Sequence, residues 1–473
     1  MKYLTGLMLF FLYCVNIPHV QAQAESPQLL KPLWQKSLYL HSPTNVVVGR
    51  VEDGVRLCVQ GTRQSKDSAH AAIQILDGNG KRITMHIDST FRPSSTVGAY
   101  LQWVDLSPQE SPGVLYSLTP PETSEAGKSY LVSLDKSIPD RIIENTTHWG
   151  NNNSIVDDID NDGQLDLLYA DQQTLTLYTL PDLKQVWRWD QGIKFCWSLP
   201  GLFDLDSDGQ REIVFGSEYN NEDGSSSVIA INSQGEQLWR ADGFAEDLGS
   251  TTVYFADVDG DGTKEIIKVG LDLVHHLNQE WSHVFIFNAS DGSLKSKFEF
   301  GCTGMTIGDL DGDGHIEGVG ITNSRDGGNN GRKEIRCIDL VTGAIKWVTS
   351  VSRVYLDCNS PIMTDLDHDG DLEVIVGTGN PAGYARLPNS EPWGDLYVVD
   401  HQGEILQHND LPGWPVNLAI CDLGNDNQAE LIVVQDGKPG ALIVYETEAM
   451  TKRKDWVTPL GNSERSGNLG VEK

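Results

Sequence analysis

The chain has 473 residues, of which 39% are hydrophobic and 22% are charged, and its formal net charge at pH 7 is −32. This charge argues against nucleic acid and anionic membranes as partners, because both bind basic surfaces. The acids recur between apolar segments and do not form a disordered tail, so the composition favours a folded domain.

The first 24 residues have the features of a secretory signal peptide. Lys2 precedes an apolar run over residues 4–15, and small-residue cleavage options follow at 20–24. The run is too short to span a bilayer, and no later segment is apolar enough to do so. We therefore predict a cleaved signal peptide at residues 1–24, no membrane insertion, and a secreted, periplasmic or extracellular protein. Residues 25–473 are predicted to form a single domain.

An acidic loop recurs along the chain with the pattern DxDxDG and a further acid at its ninth position. Residues 309–317, DLDGDGHIE, are one copy. Successive copies begin 46, 53, 52, 56 and 57 residues apart, at Asp158, Asp204, Asp257, Asp309, Asp365 and Asp422. A period near fifty residues is typical of repeat folds.

Five copies carry the complete set of acids. They are Asp158, Asp160, Asp162 and Asp166; Asp204, Asp206, Asp208 and Glu212; Asp257, Asp259, Asp261 and Glu265; Asp309, Asp311, Asp313 and Glu317; and Asp365, Asp367, Asp369 and Glu373. Such oxygen-only donors suit Ca²⁺ better than zinc, and a glycine such as Gly314 permits the positive φ of the turn. The sixth copy keeps Asp422, Asp426 and Glu430 but has Gly424 and Asn427 at two loop positions, so we expect it to bind weakly or not at all.

Short apolar segments flank each loop, and a second pair joined by a glycine hairpin follows, as in residues 227–239 and 335–347. Strands on both sides exclude an EF-hand, which needs helices and places its last acid at the twelfth position. Each repeat therefore predicts four antiparallel strands, the content of one propeller blade.

Two degenerate units precede the first complete loop, within residues 45–83 and 98–118. We therefore predict an all-β propeller of about eight four-stranded blades; seven blades and an irregular N-terminus are the alternative. Trp34 has a sequence context like those of Trp187, Trp239, Trp347 and Trp456, which are predicted outer-strand residues. This similarity predicts that the segment around Trp34 forms an N-terminal strand, which pairs with the last blade and closes the ring.

The acidic loops resemble the FG-GAP, or VCBS, repeats of the integrin α-subunit propeller and its bacterial relatives. The resemblance implies about five structural Ca²⁺ sites, each held by the three leading acids, the ninth-position acid and the carbonyl of the seventh residue. In the second loop that seventh residue is Gln210. The resemblance also implies that partners bind on the opposite face of the ring.

The segments that enter the inner strands supply candidates for that ligand face. They are Trp197, Arg353, Tyr355, Asp357 and Trp414. Aromatic, amide and acidic side chains near an axial pocket would suit an extracellular protein or a polysaccharide. Trp197 and Trp414 could equally pack between blades. Cys302 and Cys358 precede their loops by the same seven residues, so they could pair across blades or be small buried side chains.

The sequence has no HExxH or GxSxG motif, so we predict a non-catalytic calcium-binding module for recognition, adhesion or scaffolding. The alternative is a polysaccharide lyase of the rhamnogalacturonan-lyase type, which is also an eight-bladed, Ca²⁺-bearing propeller. Candidate residues for that chemistry are Lys194, Arg353, Tyr355 and Arg386.

Overall fold

The computed structural model describes most of the chain as strands and the loops between them. The described residues are 28–450, with gaps at 65–68, 89–100, 106–111, 119–127, 135–139, 145–152, 171–172, 195–199, 219–223, 250, 272–281, 303–304, 322–333, 352–355, 358–360, 381–392 and 438–439. Within these ranges the regular elements are thirty-three β-strands. The described residues contain no helix long and apolar enough to cross a membrane.

The first four blades follow the chain in order, with four strands each. Blade 1 has β2 (His41–Val51), β3 (Gly54–Gln64), β4 (Ala69–Asp77) and β5 (Arg82–Asp88), and blade 2 has β6 (Leu101–Val104), β7 (Gly113–Leu118), β8 (Lys128–Ser133) and β9 (Arg141–Glu144). Blade 3 has β10 (Asn153–Asp157), β11 (Asp166–Ala170), β12 (Thr174–Thr179) and β13 (Lys184–Asp190), and blade 4 has β14 (Gly201–Phe203), β15 (Glu212–Gly216), β16 (Ser226–Ile231) and β17 (Gln237–Phe244).

The other four blades include one extra strand and one strand from the far end of the chain. Blade 5 has β18 (Val253–Ala256), β19 (Glu265–Gly270), β20 (His283–Phe287) and β21 (Leu294–Glu299), and blade 6 has β22 (Met305–Gly308), β23 (Glu317–Ile321), β24 (Glu334–Asp339) and β25 (Ile345–Ser350). Blade 7 has β26 (Leu356–Asp357), β27 (Ile362–Thr364), β28 (Glu373–Asn380), β29 (Trp393–Val399) and β30 (Ile405–Leu411). Blade 8 has β31 (Pro415–Cys421), β32 (Gln428–Gln435), β33 (Ala441–Met450) and β1 (Lys31–Ser37).

Each blade is an antiparallel sheet that runs from a buried first strand to an exposed fourth strand. In blade 3, β11 is buried along its whole length, whereas most of β13 is exposed. First strands of successive blades lie against each other, as β14 does against β18 and β22 against β27. The same contact joins β2 of blade 1 to β31 of blade 8, so the first strands form a closed inner ring.

The ring is closed by β1, which pairs antiparallel with β33 as the outer strand of blade 8. Trp34 lies opposite Val444 in this pairing, as the sequence predicts. Trp187, Trp239 and Trp347 likewise lie in fourth strands, whereas Trp456 lies outside the described residues. The prediction of eight four-stranded blades is thus confirmed over the seven-bladed alternative.

The hydrophobic core lies between the blades. One cluster joins Ile267 of blade 5, Val319 of blade 6 and Val374 of blade 7, all fully buried. Another joins Leu57 of blade 1 to Val444 of blade 8 across the closure. Because each strand exposes alternate side chains on its two faces, every sheet contributes apolar residues to both neighbours.

Candidate metal sites

The five complete acidic loops are the connections between the first and second strands of blades 3 to 7. In blade 4 the loop begins at Asp204, directly after β14, and ends at Glu212, the first residue of β15. The first, third and ninth loop positions converge, with one carboxylate oxygen of each within 4.8 Å of the others. This holds for Asp158, Asp160 and Asp166; Asp204, Asp206 and Glu212; Asp257, Asp259 and Glu265; and Asp309, Asp311 and Glu317. Each of these groups could hold a metal ion.

The first aspartate folds the loop around itself. Asp204 accepts hydrogen bonds from the backbone N–H of Asp208 at 3.1 Å and of Gly209 at 3.0 Å, and Asp158 makes the same pair of bonds in blade 3. Gly209 has a φ of 91°, in the region that favours glycine. The positive φ predicted for the loop glycine is therefore present.

The fifth-position aspartates stabilise the end of the loop. Asp208 Oδ1 accepts the backbone N–H of Gln210 at 2.8 Å, and Asp313 Oδ1 accepts that of His315 at 2.8 Å. Equivalent bonds are made by Asp162, Asp261 and Asp369. These acids thus have one oxygen engaged by the backbone; metal binding by their other oxygen, and by the Gln210 carbonyl, stays a prediction.

The ninth-position acid is buried beneath the loop. Glu212 is only 2% exposed, and its Oε2 accepts the backbone N–H of Leu205 at 2.6 Å. Burial raises the pKa of Glu212 to about 7, and the nearby Asp206, Asp208 and Asp204 carboxylates add to the shift although the Leu205 bond opposes it. The charges of this loop are therefore poorly compensated by the protein alone.

The same electrostatic situation occurs in blades 3 and 7. Burial, reinforced by the three neighbouring aspartates, raises the pKa of Asp166 to about 6 and that of Glu373 to about 8. In blade 6 the buried Oδ1 atoms of Asp309 and Asp311 make no hydrogen bond of normal geometry. A hard divalent cation binds carboxylate oxygens, and these two buried oxygens are not occupied by a hydrogen bond. The residues of the loops therefore fit Ca²⁺.

The loop of blade 7 shares the main features of the other loops. The N–H of His368 donates to Asp365 Oδ1 at 2.7 Å, and His368 has a φ of 66°, close to the φ of the fourth-position residues Asn161 and Ser207 in blades 3 and 4. The ninth acid keeps its place, because Glu373 Oε2 accepts the N–H of Leu366 at 2.6 Å. The loop therefore keeps both the positive φ at its fourth position and the buried ninth acid.

The guanidinium of Arg50, a residue of blade 1, contacts the incomplete sixth loop. Asp422 accepts the N–H of Asp426 and of Asn427, so the backbone still wraps the first aspartate. Arg50 of blade 1 places Nη2 3.5 Å from Asp422 Oδ2 and donates from Nη1 to Asn425 Oδ1 at 2.9 Å. A guanidinium thus supplies positive charge where Gly424 has removed a carboxylate. Weak or absent metal binding here stays a prediction, and this contact supports it.

Sequence reasoning missed two lysines that contact the complete loops. Lys295 reaches the acids of blade 5 and Lys346 those of blade 6. Each is the third residue after a hairpin glycine, Gly292 or Gly343, and this spacing is the signal that could have identified them.

A further group of possible metal ligands lies away from the loops, on β29 and β30. It consists of Asp395, His408 and Asp410. His408 Nε2 lies 2.9 Å from Oδ1 of the fully buried Asp395, and its ring stacks on Tyr397 at 4.5 Å between centroids. The imidazole thus already gives the buried carboxylate a hydrogen-bonding partner.

The candidates for the ligand face are only partly described. Trp197, Arg353 and Tyr355, with Arg386 of the lyase alternative, lie outside the described residues. Asp357 lies in β26 opposite Thr378 of β28. Lys194 is exposed, and its backbone carbonyl accepts the N–H of Glu218.

Trp414 and the cysteines have defined surroundings. Trp414 is partly buried against the cluster between blades 8 and 1, and a Cβ on Gly379 would lie 2.8 Å from its indole. Its position therefore fits packing between blades, and ligand binding by it stays a prediction. Cys302 is buried, whereas Cys358 lies outside the described residues, so their pairing also stays a prediction.

The comparisons with known proteins agree with the repeat and the ring. A family model described as an FG-GAP-like repeat matches residues 204–267, which include the loops of blades 4 and 5. The search of the curated proteins finds no match.

The solved structures that are similar to this chain have low sequence identity to it. The V. cholerae biofilm matrix protein Bap1 is 12% identical, with a TM-score of 0.59 over 93% of this chain and 96% of that one. BBS1N, in complex with ARL6DN, is 10% identical with a TM-score of 0.45 over 76% and 94%. The dihydro-heme d1 dehydrogenase NirN is 14% identical with a TM-score of 0.44 over 89% and 75%. This chain is thus an eight-bladed β-propeller that contains an FG-GAP-like repeat at residues 204–267.

Proposed function

We propose that this protein is an exported, calcium-stabilised propeller that acts as a non-catalytic recognition or adhesion module for an extracellular protein or polysaccharide. The observation that carries the calcium assignment is the convergence of buried carboxylates in the first-to-second-strand loops, including Glu212 beneath Asp204 and Asp206. Bound Ca²⁺ would neutralise these charges and hold each turn closed.

The role of the metal is structural in this proposal. Each ion would be surrounded by acids of a single turn, whereas catalysis by a metal needs an open coordination position. An ion that binds the folded state and not the unfolded chain stabilises the fold by mass action. Ca²⁺ therefore acts on the ring as a whole, and recognition is assigned to the opposite face.

Recognition of an extracellular partner is supported by three separate features. Residues 1–24 are predicted to be an export signal, the fold is a closed scaffold that presents many loops, and the structure of Bap1, to which this chain is similar, is that of a biofilm matrix protein. Loops on a rigid scaffold are common binding elements, so Trp197, Tyr355 and Trp414 are the side chains to replace first.

The calcium assignment is tested by removing the metal. Treatment of the purified protein with EGTA should lower the thermal unfolding midpoint by about 10 °C or more, because several sites contribute at once. Returning Ca²⁺ should restore the midpoint, whereas equimolar Mg²⁺ should not, since Mg²⁺ retains its waters and prefers a tighter octahedral site. An unchanged midpoint after complete chelation would contradict the proposal.

The recognition role is tested by screening glycan and peptide arrays with the Ca²⁺-loaded protein, and with Trp197→Ala and Tyr355→Ala variants. Binding that both substitutions weaken would support the proposed face. Release of unsaturated uronate from pectic substrates, seen as new ultraviolet absorbance, would instead favour the lyase alternative.

A further inference from the structure

The outer strands of blades 1 and 3 to 7 contain a β-bulge directly after the hairpin that precedes them, and β1, the outer strand of blade 8, contains one near its start. At each bulge one residue of the outer strand has no partner across the pair, while its neighbours on both sides do. These residues are Leu33, Ile83, Val186, Leu238, Lys295, Lys346 and Leu406. A bulge redirects the side chain of its extra residue, and in blades 5 and 6 this side chain contacts the acidic loop of the same blade.

In blade 5 the bulge residue is a lysine that contacts the loop. Lys295 Nζ lies 2.6 Å from Asp259 Oδ2 and 2.8 Å from Glu265 Oε1. The other oxygen of Glu265 already accepts the backbone N–H of Val258 at 2.9 Å. The ammonium of Lys295 therefore binds Oε1 of the ninth-position acid, while the backbone N–H of Val258 binds Oε2.

Blade 6 repeats this arrangement with Lys346. Its Nζ lies 2.7 Å from Asp311 Oδ2 and 3.0 Å from Glu317 Oε1, while Glu317 Oε2 accepts the N–H of Leu310 at 2.9 Å. Glu317 is fully buried. Burial alone would lower the pKa of Lys346, but its hydrogen bonds to Asp311 and Glu317 outweigh this and raise it.

The loops of blades 3 and 4 have no such cation. Their bulge residues are Val186 and Leu238, which are exposed aliphatic side chains. In the described part of the chain no lysine or arginine contacts the four acids of loop 158–166 or loop 204–212. The bulge residue of blade 7 is Leu406, so the five complete loops divide into two with lysine and three with an aliphatic residue.

We propose that Lys295 and Lys346 are built-in counter-cations that compete with Ca²⁺ in blades 5 and 6, so the five loops form a tight class of three and a weak class of two. The proposal rests on the calcium binding proposed above. In the weak class, an ion must displace an ammonium from the free oxygen of the ninth acid before that oxygen can bind it. The charge that the ion would neutralise is also already partly balanced.

The lysines also keep two blades ordered when Ca²⁺ is scarce. An ammonium tethered to the outer strand cannot diffuse away, whereas the loops of blades 3, 4 and 7 depend on the ion in solution. Blades 5 and 6 are adjacent, so together they form a segment of the ring whose loops stay compensated without metal.

The test is equilibrium Ca²⁺ titration of the full mature chain by calorimetry after chelator treatment. We expect three ions in a tight class and two bound at least about tenfold more weakly, since the charge and number of available ligands set Ca²⁺ affinity. The double variant Lys295→Met and Lys346→Met keeps the side-chain length without the charge, and five tight ions are expected. Lys184→Met removes a lysine from the outer strand of blade 3 that contacts no loop acid, and it should leave the titration unchanged.

The reverse substitution keeps the proposal testable if the double variant fails to fold. Leu238→Lys places a lysine at the bulge of blade 4, and the tight class should fall from three ions to two. Five equivalent ions in the unchanged protein, or no change in either variant, would overturn the lysine proposal and leave calcium binding intact. Absence of Ca²⁺ binding in every variant would instead overturn the proposed function.

Discussion

At the scale of single residues, the ninth-position acid is the most constrained group of each loop. Glu212 is buried beneath three aspartates and is tied to the backbone by one oxygen. Without metal its ionised form is disfavoured, whereas with metal the ionised form is the ligand. The same side chain should therefore destabilise the metal-free protein and stabilise the loaded one.

The metal-free protein should become less stable as the pH rises from about 4.5 to about 7. The folded-state pKa of Glu212, about 7, exceeds its ordinary value of 4.5, so between these values the folded state binds more protons than the unfolded state. Glu212→Gln imitates the protonated form. In EGTA at pH 8 this variant should be more stable than the unchanged protein by on the order of 2 kcal/mol, as measured by urea unfolding.

In saturating Ca²⁺ the Glu212→Gln variant should instead be less stable than the unchanged protein, because it lacks one charged ligand for the ion. Glu236→Gln is the matched control, since it makes the same chemical change at an exposed position of the same blade. It should alter stability little in either condition. If Glu212→Gln were less stable than the unchanged protein in EGTA as well, the assigned charge balance of the loop would be wrong.

At the scale of strands and hairpins, one contact recurs between successive blades. The indole N–H of an outer-strand tryptophan donates to a carbonyl in the hairpin of the next blade. Trp187 donates to Ser233 at 2.7 Å, Trp239 to Ala289 at 2.9 Å and Trp347 to His401 at 2.8 Å. Each ring also lies against the glycine of that hairpin, so these contacts fix the spacing of the blades at the rim of the ring.

Gly292→Ala should be more destabilising than its backbone conformation alone explains. Gly292 has a φ of 69°, and a Cβ there would lie 2.3 Å from the ring of Trp239. Gly192 has a φ of 70°, and a Cβ at this position would have nothing within 4 Å. Gly192→Ala therefore measures the backbone strain by itself. We expect losses of roughly 3 kcal/mol for Gly292→Ala and about 1 kcal/mol for Gly192→Ala in urea unfolding. Equal losses would show that the tryptophan yields without cost.

The elements could be predicted from the sequence because their signals are local. Apolar alternation, hairpin glycines and the acidic loops each lie within ten residues of chain, and their repetition gave the blade count. Lys295 has a weaker local signal, its spacing of three residues after the hairpin glycine Gly292, because many lysines after a hairpin are ordinary solvated charges. Its contact depends on a bulge that shifts the strand by one residue, and this shift is visible only in the pairing register.

At the scale of the whole molecule, the least predictable contacts join the two ends of the ring. Arg50 and Asp422 are 372 residues apart, and nothing near either residue indicates the other. The pairing of β1 with β33 could be predicted only because Trp34 shares the sequence context of the outer-strand tryptophans. Repetition thus revealed the closure, whereas the contact of an arginine with the degenerate loop required the closed structure.

The closure itself should be a separable part of the fold. Leu30 is fully buried between the last two blades, and its N–H and carbonyl both bond the Gln407 side chain at 3.0 Å. Removing residues 1–37 should therefore cost on the order of 5 kcal/mol, through lost apolar burial and an exposed β33 edge. A chain lacking only residues 1–27 is the control and should unfold at the midpoint of a chain that begins at residue 25. A synthetic peptide of residues 28–38 should restore the midpoint in trans, because it can pair with β33 again. Equal midpoints for the two truncated chains would show that seven blades and an incomplete eighth already form a stable ring.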